Sequence, residues 1–313
     1  MGQNAGYTTT VEYVKETKFG TLPTNPEMEW IGIVTDAKFT DKPKSFSTRY
    51  FTDAEYADPN AEYANPKSAA YKHIKTVMEA GIEIEYVPQG ILDGFLGFAL
   101  GGDTSCTGLV DGINSVTIGA IITGGTNKYV VYKGCVVDEF TLTIPEDDVL
   151  MCSAKFTAAD AAAPSATDYI GTGSNATEST DAMLTCDNIS DIKLSTDNGK
   201  TWANATDIVR EIELSISNKN VYLKDLASTN STHIAGVVNV GKDVKLGLEL
   251  YYDDLDLLAQ VRALTQCGFK FTCDSKIFTL TGVQFPEYPL DVKPDEVIGD
   301  KLESLQVTGL TIT

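Results

Sequence analysis

The sequence predicts a mainly β chain, an antiparallel β-sandwich or barrel with one or two flanking α-helices. Alternation carries that reading. From Val137 onward, Asp138, Phe140, Leu142 and Ile144 share one parity, and Val137, Glu139, Thr141 and Thr143 share the other. That is the period-2 pattern of a strand with one packed and one wet face. The pattern recurs over Asp207–Ser217, with Ile212, Leu214 and Ile216 inward, and over Asp243–Tyr252, with Val244, Leu246, Leu248 and Leu250 inward. Turn-forming residues separate the runs, as in Pro145-Glu-Asp-Asp148. After that turn Leu150, Cys152, Ala154 and Phe156 resume an apolar parity, which makes an amphipathic hairpin that needs a sheet to join.

Taken in order, residues 1–28 are polar and carry Pro23 and Pro26, so they predict an extended N-terminal arm. A β-sandwich domain over 29–313 follows. Strands are expected near Trp30–Lys38 and Ser45–Phe51, with a turn at Asp41–Pro43. Ala69–Ala80 has helical spacing, placing Ile74, Val77 and Met78 on one side, with Gly81 as its stop. Ile82–Val87 alternates strictly and predicts a strand. The glycine-rich ILDGFLGFALGG lacks the lysine and polar donors of a phosphate loop, so close helix packing is the expectation. A loop over Asp103–Asn114 and a strand over Ser115–Ile122 precede the central hairpin.

Beyond the hairpin, a low-complexity run rich in Ala, Ser, Thr and Gly begins a loop or insertion over about 158–206. Ser195–Trp202 (STDNGKTW) fits the Asp-box pattern, a hairpin turn closed by its own Ser and Asp side chains; occurring once, it reads as a turn and not as a glycosidase blade. Asn218–Asn220 is expected to turn the chain, and Asp253 to cap a helix ending at Gly268. Phe269–Thr281 predicts a hairpin around Asp274-Ser275, and Lys301–Thr313 a closing strand.

Composition narrows the function classes. The 313 residues carry 44 Asp and Glu against 24 Lys and Arg, a formal charge of −20 that disfavours wrapping nucleic acid. No apolar run is long enough to cross a membrane as a helix, and the N-terminus lacks the basic and apolar regions of a signal peptide, so synthesis and assembly in the cytoplasm are expected. The six cysteines form no Cys-x-x-Cys pair, and His73 and His233 are far apart, which argues against zinc. Cys135 and Cys152 fall in strands, where free cysteine behaves as a small hydrophobe. No nucleophile–base pair, metal spacing or phosphate loop stands out, so no catalytic residue and no cofactor is expected.

The order of a polar β segment, Tyr132-x-Gly134-Cys135, an alternating strand, an acidic turn and a return strand resembles the major tail tube proteins of long-tailed phages and archaeal viruses. FGTLPTNP before it and the paired strands IVREIELSI and VKLGLELYY after it lie at matching places. The resemblance implies hexameric rings, each closing an inner β-barrel, stacked into a tube through which viral DNA passes without specific binding. Alternation and resemblance together put Glu139, Thr141, Thr143, Lys155, Glu211, Glu213 and Ser215 on the lumen, and make Phe19, Leu22 and Pro23 candidates for an arm between rings. The implied partners are further copies of the chain, a tape measure protein and tail-end proteins, in the virion tail. The competing reading is a secreted or cell-surface module, adhesin- or S-layer-like, binding glycan or calcium. Acidic loops, the sequons at Asn175, Asn188, Asn204 and Asn230, and the single Asp-box would suit it.

Overall fold

The computed structural model describes residues 8–50, 70–89, 94–123, 126–206, 208–225, 231–251, 266–286 and 299–313. The chain enters on β1 (Thr8–Lys15) and a short β2 (Glu29–Trp30), then makes a long hairpin of β3 (Ile33–Tyr50) and β4 (Ala70–Val87). A six-residue helix, α1 (Gly94–Ala99), leads to β5 (Val116–Thr123), β6 (Lys128–Ile144), β7 (Met151–Ala158) and the short β8 (Asp160–Ala161). Then come β9 (Ile189–Ser195), β10 (Ala203–Asn204) and the ribbon of β11 (Val209–Lys224) with β12 (Ile234–Tyr251). The chain closes on β13 (Cys267–Cys273), β14 (Lys276–Val283), β15 (Gly299–Glu303) and β16 (Gly309–Ile312).

These strands form an antiparallel 11-stranded sheet and a 5-stranded sheet ordered β10-β9-β13-β14-β16, and neither closes on itself among the described residues. β6 is the hub. Its first half pairs with β5, from Val136 onward it pairs with β7, and from Glu139 it lies between β7 and β11. The switch falls at Gly134, where φ is 62° and a Cβ would stand 2.6 Å from that of Ala159, so no other residue fits the bend. Glu16 secures the same corner. Its buried carboxylate accepts from Ser115 Oγ (2.6 Å), Thr117 Oγ1 (2.7 Å), Gly134 N (2.8 Å) and Gly20 N (2.7 Å).

The alternation does what it implies. Phe140, Leu142, Ile144, Ile212, Leu214, Ile216, Leu246, Leu248 and Leu250 are buried in one core shared by both sheets and α1. Phe95 of α1 is its aromatic centre, with ring centroids 4.8 Å from Phe156 and 5.0 Å from Tyr13. Within the glycine-rich run, Gly94–Ala99 is therefore a packed helix, as expected from its apolar fillers. Cys135 and Cys152 are buried free thiols, and burial pushes the Cys152 thiol up to about 12. The Asp-box closes the β9–β10 turn as its residues predict. Asp197 Oδ1 accepts from the amides of Lys200 (3.0 Å) and Thr201 (2.7 Å), and Ser195 Oγ accepts from Gly199 N (2.7 Å). The hydrogen bonds from Thr201 lead in holding the Asp197 carboxyl down at about 2.

Several local expectations fail. Residues 70–80 are not a helix but the first part of β4, paired along their length with β3. Their Ile74, Thr76 and Val77 are β-branched, and a helix preference worth tenths of a kcal/mol per residue yields to a long ladder. For the same reason the chain does not turn at Asp41–Pro43; β3 runs straight through, with Pro43 opposite Met78. Asn218–Asn220 is a bulge inside β11, not a turn. Asp138 is likewise bulged in mid-strand, which is why it broke the apolar parity. There it accepts from Thr157 Oγ1 (2.7 Å), Asn220 Nδ2 (2.9 Å) and the Tyr222 hydroxyl.

Residues 8–15, expected to be part of the arm, are a strand in the chain's own sheet, with Val11 and Tyr13 in its core. The expected 158–206 insertion ends earlier, because β9 is an interior strand of the smaller sheet. The helix expected after Asp253 lies outside the described residues up to Cys267, which belongs to β13.

Candidate assembly surface

Register decides what the wet parities share. On the run β3-β4-β7-β6-β11-β12-β15, each strand exposes every second residue to the same side. Glu139 stands opposite Lys155 and Ser217; Thr141 opposite Ser153 and Ser215; Thr143 opposite Met151 and Glu213; Glu211 opposite Glu249. The side chains Glu139, Thr141, Thr143, Lys155, Glu211, Glu213 and Ser215 are therefore neighbours on one polar face, backed by the buried row from Phe140 to Ile216.

The face extends further than sequence reasoning placed it. Toward β3, Glu83 pairs across to Lys155 and Glu85 to Ser153, and toward β15, Lys245 stands beside Ser215. Strict alternation in Ile82–Val87 and Asp243–Tyr252 already gave these residues a wet parity; the strand order that joins them to β6 is set by contacts distant in sequence. The charges alternate. Lys38 Nζ lies 3.0 Å from Glu83, Lys155 Nζ 2.5 Å from Glu139, Arg210 2.8 Å from Glu146 and 3.1 Å from Glu249, and Lys245 2.9 Å from Glu303. Lys38 holds the Glu83 carboxyl below its ordinary range, and Glu139 raises the Lys155 ammonium. Solvated pairs of this kind contribute little to stability, so the face is built to stay wet.

Phe19, Leu22 and Pro23 sit half-buried beside the tight turn that pairs Lys18 with Thr21. The segment after them docks on the same chain: Met28 N donates to Ser174 O (3.0 Å) and Ser174 N to Pro26 O (2.9 Å). A second surface escaped the sequence reading. The outer part of the β11–β12 ribbon exposes Val221 (47 %), Leu223 (50 %), Val238 (47 %) and Val240 (65 %), and register puts Val221 beside Val238 on one side of it. Both strands alternate there as they do in the core, so alternation alone does not tell an apolar face that is covered from one that is not.

Among the described residues no group of His, Cys, Asp and Glu is placed to hold a metal, and no helix is long and apolar enough to cross a membrane. No curated protein matches the chain. A family model described as phage tail tube protein matches residues 6–309, almost end to end. By that match the chain belongs to the phage tail tube protein family, structural components of the viral tail.

Proposed function

We propose that six copies close into a ring, that rings stack into the tail tube, and that the polar face of the large sheet lines the bore through which the viral genome passes. One observation carries this reading beyond the family itself. A continuous wet face runs across an open sheet whose outer strands, β3 and β15, each pair on one side only among the described residues. Such edges invite pairing, and closure through neighbouring copies removes them. The exposed ribbon of Val221, Leu223, Val238 and Val240 is the kind of surface a neighbouring subunit covers.

On this reading Glu211 and Glu213 repel phosphate while Lys155 and Glu139 neutralise each other, so DNA slides without being held; screening confines the effect to about 8–10 Å from the wall. The turn carrying Phe19, Leu22 and Pro23 reaches the adjoining ring. A tape measure protein fills the bore before ejection, tail-end proteins cap the stack, and assembly takes place in the host cytoplasm. Family membership favours this over a glycan- or calcium-binding surface module.

Negative-stain imaging of concentrated protein is expected to show rings and tubes; monomers at every concentration and salt would refute the proposal. Virions carrying Glu139→Lys, Glu211→Lys and Glu213→Lys together should assemble tubes of normal length yet eject DNA severalfold more slowly at low salt, where exposed charges act furthest. Ejection at the wild-type rate would remove the electrostatic part of the proposal.

A further inference from the structure

Against the acidity of the whole chain, one place gathers cations. A pocket of about 400 Å³ at the end of the polar face is lined by four lysines, Lys38, Lys42, Lys155 and Lys224, against two carboxylates, Glu79 and Glu83. Its floor is β3, β4 and β7, and its wall is the outer β11–β12 ribbon, which brings Tyr222 and Ile234 over it. Two of the lysines are matched within the chain, Lys38 to Glu83 and Lys155 to Glu139. Lys224, and Lys42 opposite Glu79 in the β3–β4 ladder, are exposed and make no ion pair within 4 Å among the described residues. The pocket thus carries an excess of positive charge beside an apolar wall.

The opposite end of the same hairpin is acidic. The β6–β7 turn, Pro145-Glu146-Asp147-Asp148, is exposed at all three carboxylates. Arg210 engages Glu146, and Asp148 accepts from Val149 N, while Asp147 has no partner among the described residues. Along β7 the turn and the pocket are separated by eight or nine residues, roughly 30 Å of strand. A cationic pocket at one end and a carboxylate turn at the other make a head-to-tail pair. Such a heterologous contact propagates along an axis wherever its rotation does not close a ring.

We infer that the Lys42–Lys224 pocket receives the acidic β6–β7 turn of a second copy in the next ring, with Pro145 against Tyr222 and Ile234 and Asp147 between the Lys42 and Lys224 ammonium groups. The inference rests on the stacked-ring reading for its setting, but the recognition itself is testable on the isolated chain.

A synthetic peptide spanning residues 143–150, labelled at one end, should bind the full chain in low salt and weaken as salt rises. Lys42→Glu with Lys224→Glu should weaken it by about tenfold or more, as two solvated attractions become repulsions. A peptide with Asp147→Lys and Asp148→Lys should not bind. Absence of binding, or equal binding to the double variant, overturns the inference whether or not tubes form. In assembly, the pocket variant alone and the turn variant alone should stop at single rings. A chain carrying all four substitutions should recover stacking, because the charges are exchanged and not lost. Stacking by both separate variants at the wild-type level would overturn the inference and leave the tube reading intact.

Discussion

Glu16→Ala is expected to lower the stability of the isolated chain by about 3–5 kcal/mol, among the largest effects of any polar substitution in it. The reason is the number of donors aimed at one buried carboxylate: two hydroxyls, from Ser115 and Thr117, and two amides, from Gly20 and Gly134. Hydroxyls rotate to other acceptors; the amides, fixed by the backbone, do not. Each amide orphaned in the interior costs about 1–3 kcal/mol, and a water admitted to the cavity recovers only part of that. The Gly134 amide also lies at the bend where β6 leaves β5 for β7 and β11, so the loss spreads to the junction of both parts of the sheet. Glu16→Gln should fall between, because its NH2 points a donor at donors. Urea unfolding gives the measurement: the midpoint drops while the denaturant slope holds. A loss below about 1 kcal/mol would show that the corner is held by the β-ladder and not by the carboxylate.

That corner also shows where sequence stops informing. Tyr132-x-Gly134-Cys135 was visible as a motif, and the structure supplies its reason in a positive φ and a buried thiol; its partner Glu16, more than a hundred residues earlier, left no local trace. The same division runs through the fold. Strands with one packed and one wet face, such as 136–144, 209–217 and 243–251, were legible because alternation is a property of neighbours in sequence. Which wet faces adjoin was not, since register is set by pairings such as Leu214 with Leu142. The helix expected over 69–80 failed on that ground: its apolar spacing was real, and the β3 partner that overrode it was out of view. Parity within each strand was enough to assign Glu139, Thr141, Thr143, Lys155, Glu211, Glu213 and Ser215 to wet faces, which register joins into one, while the lysine pocket, assembled from β3, β7 and β11, had no local signature.

The low-complexity run after residue 158 carries the second large effect, because a single aromatic side chain joins it to the buried Glu12. Tyr169 donates to Glu12 Oε1 (2.5 Å), Ala176 N donates to Glu12 Oε2 (2.7 Å), and the Tyr169 ring meets Tyr129 edge-on at 6.3 Å. The ring occupies space left by Gly119, which stands opposite Glu12 in the β1–β5 ladder. A Cβ there would fall 1.7 Å from the Tyr169 hydroxyl oxygen. Gly119→Val is therefore expected to expel Tyr169, leave Glu12 buried without its main donor, and lower stability by about 2–4 kcal/mol. Limited proteolysis should then cut between 163 and 176 faster than in the parent; an equal rate of cutting would mean that the Ser165–Tyr129 and Ser174–Pro26 backbone pairs hold the segment without the ring.

Charge at the same point makes it sensitive to pH. Burial, with Asp168 nearby, raises the Glu12 carboxyl above its ordinary value against the lowering pull of Tyr169 and Ala176. A native carboxyl that holds its proton more tightly than the unfolded one favours folding fully below the ordinary glutamate range, and that contribution is lost as pH rises through the native value. Glu12→Gln keeps an acceptor for Ala176 and a donor for the Tyr169 oxygen without the charge. Unfolding curves of parent and Glu12→Gln should thus coincide near pH 4 and diverge above it, the variant becoming the more stable. Parallel curves across that range would mean that Glu12 titrates as if it were in solvent, and that the loop is held by the ring alone.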